Sequence, residues 1–424
     1  MAHPSSAQLK KNLLSTLRAN GTWSEWLWIV ALVVLPFASY LSLAVLIGLM
    51  LGALGRRCSK ICLFLGQQGY GFITLGLIVS AVFSVSPGDS WLQLANFLPY
   101  FLLVGVISTA PHVRKSSLFF TTAAQAIVLG STPFSLAALV EYIVRFPSVT
   151  ARVAHWPMFE WVFDVSFNGH RAHGGLSHPN ILGNYLVIIL GLGLGLLLTN
   201  LHHHSRPSKP MTWLISVATA LAAMGIFFTS SRNGLIAAVV LLAIAGYQAR
   251  RIRWVWLLGL GVTAAIALGI ATMGFGGRAL NLALFTNDPR VAAWQISLDL
   301  IQQRPIVGWG LGGFSHEYIP FSVTDHERLF HPHNIWLYLA CDTGIPTMLL
   351  ICWVVGRTYI TGLQHLGKRH PILLSYMLAF TGCILFALFD VTLFDARINV
   401  LAWFTLASIG SLAHNNPQTG RPIN

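Results

Sequence analysis

Apolar residues in this chain run in long, nearly unbroken blocks, and polar residues gather in the gaps between them. Several blocks approach the twenty or so residues that cross a bilayer as a helix. The pattern predicts twelve such helices, at about 24–38, 40–54, 66–86, 91–110, 117–143, 181–200, 211–230, 233–249, 254–273, 334–356, 371–389 and 397–413. The second is short, and Pro133 inside the fifth predicts a kink.

The polar gaps test this count. With the N-terminus inside, the inner gaps hold Arg56, Arg57 and Lys60; Arg114 and Lys115; Arg206 and Lys209; Arg250, Arg251 and Arg253; and Arg357, Lys368 and Arg369. Every even-numbered gap is therefore basic, as the retention of Lys and Arg in cytoplasmic loops requires. All six lysines (10, 11, 60, 115, 209 and 368) fall inside. A miscounted span would invert the pattern downstream, and nothing inverts. The expectation is an all-α polytopic membrane protein with both termini inside.

Composition narrows the class further. Of 424 residues, 55% are hydrophobic and 9% charged, too few charges to cover a soluble core of this size. The formal net charge of +13 is scattered among apolar spans. It is therefore put down to Lys and Arg on cytoplasmic loops and speaks against nucleic acid, while the apolar spans make membrane lipids the expected surroundings and partners. The apolar run from Trp26 leads directly into further spans, so no cleavable signal is expected. Leu9, Leu13 and Leu17, spaced among Lys10, Lys11 and Arg18, predict a helix lying on the inner surface. The five cysteines form neither a CxxC pair nor a disulfide framework.

The chain divides into spans one to nine over 1–273, with an outer loop near 144–180; a large outer segment, 274–333; and spans ten to twelve over 334–424. In the large outer segment Asp288 can cap a helix, Pro289 suits its first turn, and Val291, Trp294, Leu298 and Ile301 form one apolar stripe. "PIVGWGLGGF" (305–314) follows as a glycine-rich loop, without the Gly-Lys-Ser/Thr of a phosphate loop. No long internal repeat supports a transporter of inverted halves.

Fixing the topology makes the outer polar residues informative. The outer bases are all arginines: 145, 152, 171, 232, 278, 290, 304, 328 and 397. Arginine's planar fork grips phosphate oxygens in pairs, whereas lysine is a flexible point charge. Arg232 lies in "FTSSRNGL", where the chain reverses between two spans, and a charge held there is costly unless used; snorkelling to headgroups is the alternative. Arg290 stands in the first turn of the outer helix, against the helix dipole, with a salt bridge to Asp288 as the bland reading. Arg171 precedes the sixth span, and Arg397 opens the last beside Asp390 and Asp395, suggesting an ion pair.

"SHPN" (177–180) and "HPHN" (331–334) each open a helix running outside to inside. Such N-termini aim free N–H groups outward, a seat for an anion. Asn180 and Asn334 can cap them, and His178, His331 and His333 can take a proton near neutral pH. A metal at His331 and His333 is the rival reading; it needs a further ligand, with His316, Asp325, Glu317 and Glu327 as candidates. His202, His203 and His204 fall on an inner loop and read as a solvated tract. Neither a Walker nor a Rossmann motif is present, so no nucleotide cofactor is expected.

At these residues a family likeness is visible. "FTSSRNG", "DPRVAAWQISLDLIQQRPIVGWGLGGF" and "HPHNIWLYLACDTGIP" resemble segments of the O-antigen ligase/polymerase superfamily, and "RAHGGLSHPNILGNYL" looks like its upstream segment. The pattern is most similar to the lipopolysaccharide O-antigen ligases of Gram-negative inner membranes. That resemblance implies a GT-C-like glycosyltransferase with a periplasmic active site. It would move a glycan from undecaprenyl diphosphate to a sugar hydroxyl of lipid A–core, inverting, without ATP or metal. It maps the family's histidine onto His333 or His331 and its diphosphate-binding arginines onto Arg232 and Arg290, with Arg171 a looser match. Asn334, Asn180, His178, Asp390, Asp395 and Arg397 are expected to support them. An O-antigen polymerase or a pilin oligosaccharyltransferase would share the donor, and a lipid-linked glycan transporter is a more distant alternative. A monomer is the expected state.

Overall fold

The computed structural model describes residues 23–110, 117–145, 149, 152, 155–156, 171–202, 209–250, 289–318, 331–367, 370–391 and 394–414. Among them every regular element is helical. In chain order these are α1 (Trp23–Val34), α2 (Ser39–Gln68), α3 (Tyr70–Val82), α4 (Pro87–Gln93), α5 (Leu98–Thr109), α6 (Leu118–Gly130), α7 (Thr132–Val144) and α8 (Pro179–His202). The series continues with α9 (Lys209–Phe228), α10 (Arg232–Gln248), α11 (Pro289–Gln303), α12 (Gly313–Glu317), α13 (Ile335–Thr343), α14 (Ile345–His365), α15 (Leu373–Ala387) and α16 (Ala396–His414).

Among the described residues, seven stretches are long and apolar enough to cross a membrane: α2, α4–α5 together, α6–α7 together, α8, α9, α14 and α16. Four shorter apolar helices, α1, α3, α10 and α15, accompany them. The expected span at 254–273, the cap at Asp288 and the amphipathic segment around Leu13 lie outside the described residues, as do Arg278, Arg328, Asp325 and Glu327.

Three local expectations change. The basic segment around Arg56 and Lys60 is helical rather than a loop, because α2 runs on to Gln68 with a kink at Arg57 (φ −143°, ψ 27°). The expected tenth span divides at Gly344 into α13 and α14. A Cβ there would lie 2.0 Å from the Ile306 carbonyl oxygen, so only glycine lets the outer loop dock against the break. Finally, α11 buries Ala293, Ser297, Leu300 and Ile301, while Val291 and Leu298 of the expected stripe are exposed. Small residues at 293 and 297 fit close approach to α13, with which α11 packs.

Burial sorts the helices. In the apolar windows of α8 and α16, 83% and 78% of residues are enclosed by protein, against 22% in α2 and α14. Exposed Tyr40, Leu41, Phe72, Trp213 and Trp353 give the bundle an apolar outer surface. The central pair is α8 with α15, antiparallel and in backbone contact. A Cβ on Gly195 would lie 2.2 Å from Ser375 Cα, and one on Gly191 2.5 Å from Ala379 Cα. Gly191 and Gly195 are four apart, as are Ser375 and Ala379, so two small-residue faces interlock. One turn further on, a Cβ on Gly382 would meet Val187 Cγ1 at 2.5 Å.

The glycine-rich loop before α12 is sewn to this frame by a buried carboxylate. Asp342 accepts hydrogen bonds from the backbone N–H of Gly312 (2.6 Å) and Phe314 (3.0 Å), and its carbonyl accepts from Gly310 N–H (2.9 Å). Two of the loop's donors are thus taken up by a side-chain carboxyl of the protein itself.

A side chain at the tightest crossing should force the helices apart. Gly195→Val is expected to lower stability by about 3 kcal/mol. Gly48→Ala, at a position with nothing within 4 Å of the new methyl, should be neutral or slightly stabilising. Thermal unfolding of both variants in detergent measures the difference.

Candidate active site

The α8–α15 register carries the two helix ends to one place. Asn180, in the first turn of α8, donates from Nδ2 to Asp390 Oδ2, just beyond α15, at 2.9 Å. The other oxygen of Asp390 meets His333 Nδ1 at 3.0 Å. Asn180 Oδ1 accepts from Arg171 Nη2 at 2.6 Å, and Arg171 Nε donates to the Thr229 carbonyl at 3.0 Å. An unbroken polar chain therefore links Arg171, Asn180, Asp390 and His333.

Anchors on either side hold His333 facing Asp390. Pro332 is held by its carbonyl, which accepts from Trp294 Nε1 of α11 at 2.8 Å. Asn334 caps α13 through the N–H groups of Trp336 (2.9 Å) and Leu337 (3.1 Å), and its amide donates to the Leu388 carbonyl at 3.0 Å. Between these anchors His333 adopts φ +50°. A non-glycine residue there stores about 1–3 kcal/mol of strain, which the surrounding contacts must offset. The other positive-φ non-glycine residue among those described is Ser230 (φ +52°), in the turn that presents Arg232.

The three histidines differ in chemistry. At His331, Nδ1 accepts the backbone N–H of His333 (3.4 Å) and the ring stacks on Phe394 (centroids 5.5 Å). Burial, then the neighbouring His333, pull its pKa from the ordinary 6.5 to about 4, so it is neutral at neutral pH. At His178, Nδ1 accepts the N–H of Asn180 (3.0 Å), and burial with the Arg171 charge again lowers the pKa. His333 alone of the three pairs with a carboxylate by Nδ1. Burial would raise the Asp390 pKa, but the hydrogen bond and charge of His333 outweigh it, with His331 and Arg290, and bring it to about 2. An ionised Asp390 holds the proton of His333 on Nδ1 and leaves Nε2 as the basic atom.

The cations take different positions. Arg290, in the first turn of α11, donates to Asn233 Oδ1 at 3.3 Å, and Asn233 Nδ2 donates to the Phe389 carbonyl at 3.1 Å. This ties Arg290 to the residue before Asp390. Arg232 opens α10, whose Ser231 cap accepts from Gly234 N–H. Arg397 is engaged by Asp395 through Nε (3.0 Å) and Nη2 (2.5 Å) and reaches Ser177 Oγ at 3.4 Å, bracing the loop before α8.

Several participants escaped the sequence reading. Glu141 of α7 is fully buried and accepts from the N–H groups of His173 (2.6 Å) and Gly174 (3.0 Å). Together with Arg145, which donates to the Arg171 carbonyl, it shapes the loop that carries Arg171. Glu141 sits in an apolar span 39 positions before Asn180, with no local pattern to mark it. Asn233 had a signal, since it adjoins Arg232 in the same motif.

Could this cluster hold a metal? One ligand atom each from His331, His333 and Asp390 lies within 4.8 Å of the others. Asp390 thus supplies the third ligand that the sequence left open. His316 instead pairs with Asp89 at 2.9 Å. With Nδ1 of both histidines already bonded, a cation would have to use Nε2 atoms or displace those bonds.

Comparison with known proteins bears on this arrangement. Residues 217–352 match the family described as O-antigen ligase. That stretch of the chain is therefore similar to the O-antigen ligase domain. Comparison with curated proteins gives no match. The matched part includes Arg232, Asn233, Arg290, His331, His333 and Asn334. Arg171, His178, Asn180, Asp390, Asp395 and Arg397 lie beyond it, so the site combines residues from inside and outside the matched domain.

The depressed pKa of His331 has a measurable consequence. The unfolded chain takes a proton there near pH 6.5, and the folded protein resists until about pH 4. Stability should therefore fall as pH drops through this window, by about 3 kcal/mol from this residue. Asp390, with its folded pKa of about 2, keeps its contribution down to about pH 4 and does not confuse the comparison. Unfolding midpoints at about pH 7 and about pH 4.5 should differ less in His331→Gln than in the parent protein.

Proposed function

We propose that the protein is an inverting glycosyltransferase that moves an O-antigen glycan from undecaprenyl diphosphate to a sugar hydroxyl of lipid A–core. We place the reaction on the periplasmic face of a Gram-negative inner membrane. The observation that carries the reading is the hydrogen bond between His333 Nδ1 and ionised Asp390. It prepares Nε2 to accept a proton from a hydroxyl, the requirement of a general base. Twelve spans with both termini inside would put this site outside.

In this reading the acceptor oxygen attacks the anomeric carbon as its proton passes to His333 Nε2. The bond from that carbon to the diphosphate oxygen breaks, and the electron pair leaves with undecaprenyl diphosphate. Single displacement inverts the anomeric centre. Arg232 and Arg290 hold the diphosphate and stabilise its growing charge, each by on the order of 3 kcal/mol in a partly dry cleft. Arg171 is the third cation, and its bonds to Asn180 and Thr229 make it a positioning residue as well. His331, neutral and stacked, orients the His333 backbone rather than taking the proton.

A lipid-borne donor has support in the surroundings. Against the first turn of α13 lies an apolar cavity of ≈ 110 Å³, lined from Ile335 and Trp336 past Cys383 and Phe380 to Leu406. Isoprenoid chain next to the diphosphate could lie there without exposing a polar group.

Transfer from lipid-linked donor to lipid A–core, with purified protein in detergent, tests the assignment. His333→Ala should reduce turnover about a hundredfold or more while donor binding persists. Arg232→Lys keeps the charge but loses the paired planar contact, and should cost about 1–3 kcal/mol, or roughly tenfold to a hundredfold in rate. Near-parental turnover by Arg232→Lys would remove the diphosphate-clamp role. In a deletion strain, bare core with retained long lipid-linked chains marks a ligase, whereas core bearing one repeat marks a polymerase.

The His331, His333 and Asp390 triad gives the metal reading a geometry, and chelation separates the two. Transfer should persist in EDTA without nucleotide. Activity lost on chelation and restored by a divalent ion would replace the general-base role with a metal site.

A further inference from the structure

The bundle has a second cavity, a polar one far from His331 and His333. It measures ≈ 520 Å³ and lies among α2, α5, α14 and α16, with Lys60, Gln67, Gln68, Thr109, Ser411 and His414 among its lining. Its position follows from helix length. Arg397 of α16 reaches the active-site loop at Ser177, and Ser411 is fourteen residues further on, about 21 Å at 1.5 Å per residue. Thr358 of α14 is similarly remote from the Gly344 break. The cavity therefore opens at the opposite end of the bundle, which the basic-gap pattern assigns to the inner leaflet.

Its chemistry is that of an anion site. The lining contains Lys60 and His414 and no carboxylate. Arg357 Nη2 donates to Gln68 Oε1 at 2.9 Å, which leaves the Gln68 NH₂ group as the donor. Ser411 is 4% exposed, and its Oγ has no hydrogen-bond partner. Three residues earlier in the same helix Ser408 donates to the Phe404 carbonyl at 2.7 Å, the ordinary resort of a helical serine. Ser411 makes no such bond, and a buried hydroxyl left unpaired is costly unless a ligand completes it. At the rim Leu63, 62% exposed, and Phe64 offer an apolar wall.

We propose that this cavity binds the phosphate of an anionic lipid headgroup, with Lys60 supplying the charge, Ser411 and Gln68 the hydrogen bonds, and Leu63 and Phe64 a path for the acyl chain. The volume suits a headgroup-sized ligand, and basic pockets between spans on the cytoplasmic side are suited to such headgroups. Leu406 borders both cavities, but the polar groups of this site take no part in the proposed transfer chemistry, and the two readings stand or fall separately.

Native mass spectrometry of the full-length protein in detergent tests the proposal, with dioleoyl phosphatidylglycerol, dioleoyl phosphatidylcholine and inorganic phosphate as probes. One phosphatidylglycerol should be retained per chain, about tenfold more tightly than phosphatidylcholine. Lys60→Ala and Ser411→Ala should each weaken it about threefold to tenfold, and both are small changes that the fold tolerates. Lys209→Ala, which removes the same charge from another exposed position, should leave it unchanged. Competition by millimolar inorganic phosphate would assign the cavity to the free ion and overturn the lipid source. Equal retention of the two lipids, binding unchanged in either cavity variant, or an equal loss in Lys209→Ala would overturn the proposal.

Discussion

The close crossing of α8 and α15 is the constraint on which the rest of the structure depends. Membrane helices gain little from the hydrophobic effect against one another, so close packing and polar bonds must hold them. Here Gly195 opposes Ser375, Gly191 opposes Ala379, and Val187 opposes Gly382. Continued at the same register, the pairing brings Asn180 to Asp390 at 2.9 Å. The glycines deep in the bundle thus set a hydrogen bond at its end.

Around that bond the site is stabilised by mutual dependence. A carboxylate as buried as Asp390, 6% exposed, is tolerated because His333 and Asn180 both bond to it. Removing one partner from such a pair costs about 3–5 kcal/mol, mostly because the other charge is stranded. His333 in turn keeps a strained backbone only because Trp294 fixes the residue before it and Asn334 caps the helix after it. Three of the elements that supply these contacts, α8, α11 and the end of α15, are remote in sequence from His333. The histidine's orientation is a property of the assembly and not of the HPHN segment.

The same dependence explains how the matched domain relates to the whole chain. Residues 217–352 bring His331, His333 and two of the arginines, yet the carboxylate bonded to His333 comes from beyond the C-terminal boundary of that segment. The asparagine that orients the carboxylate comes from before it. Buried Glu141, further upstream still, shapes the loop bearing Arg171. A polar network in a low-dielectric setting must be complete to be stable, so the flanking helices belong to the site as much as the matched part does.

By itself the sequence determined the class of protein and most of the polar residues of interest. Apolar runs of bilayer length are a consequence of lipid solvation, which acts on composition and so can be read without a fold. His333, Arg232, Arg290 and Asn334 stood out because polar residues at the mouths of apolar spans are few. The tertiary structure decided which of them act together and how. It separated His333 from His331 by the partner each Nδ1 meets, turned Arg171 toward Asn180, and gave the glycine-rich loop to Asp342. It also brought in Glu141 and Asn233, joined the basic gap at Arg56 to α2, and split the tenth span at Gly344. These outcomes rest on hydrogen bonds between residues up to 210 positions apart. Their geometry is set by helix register and close packing, for which a single chain's residue pattern has no local signal.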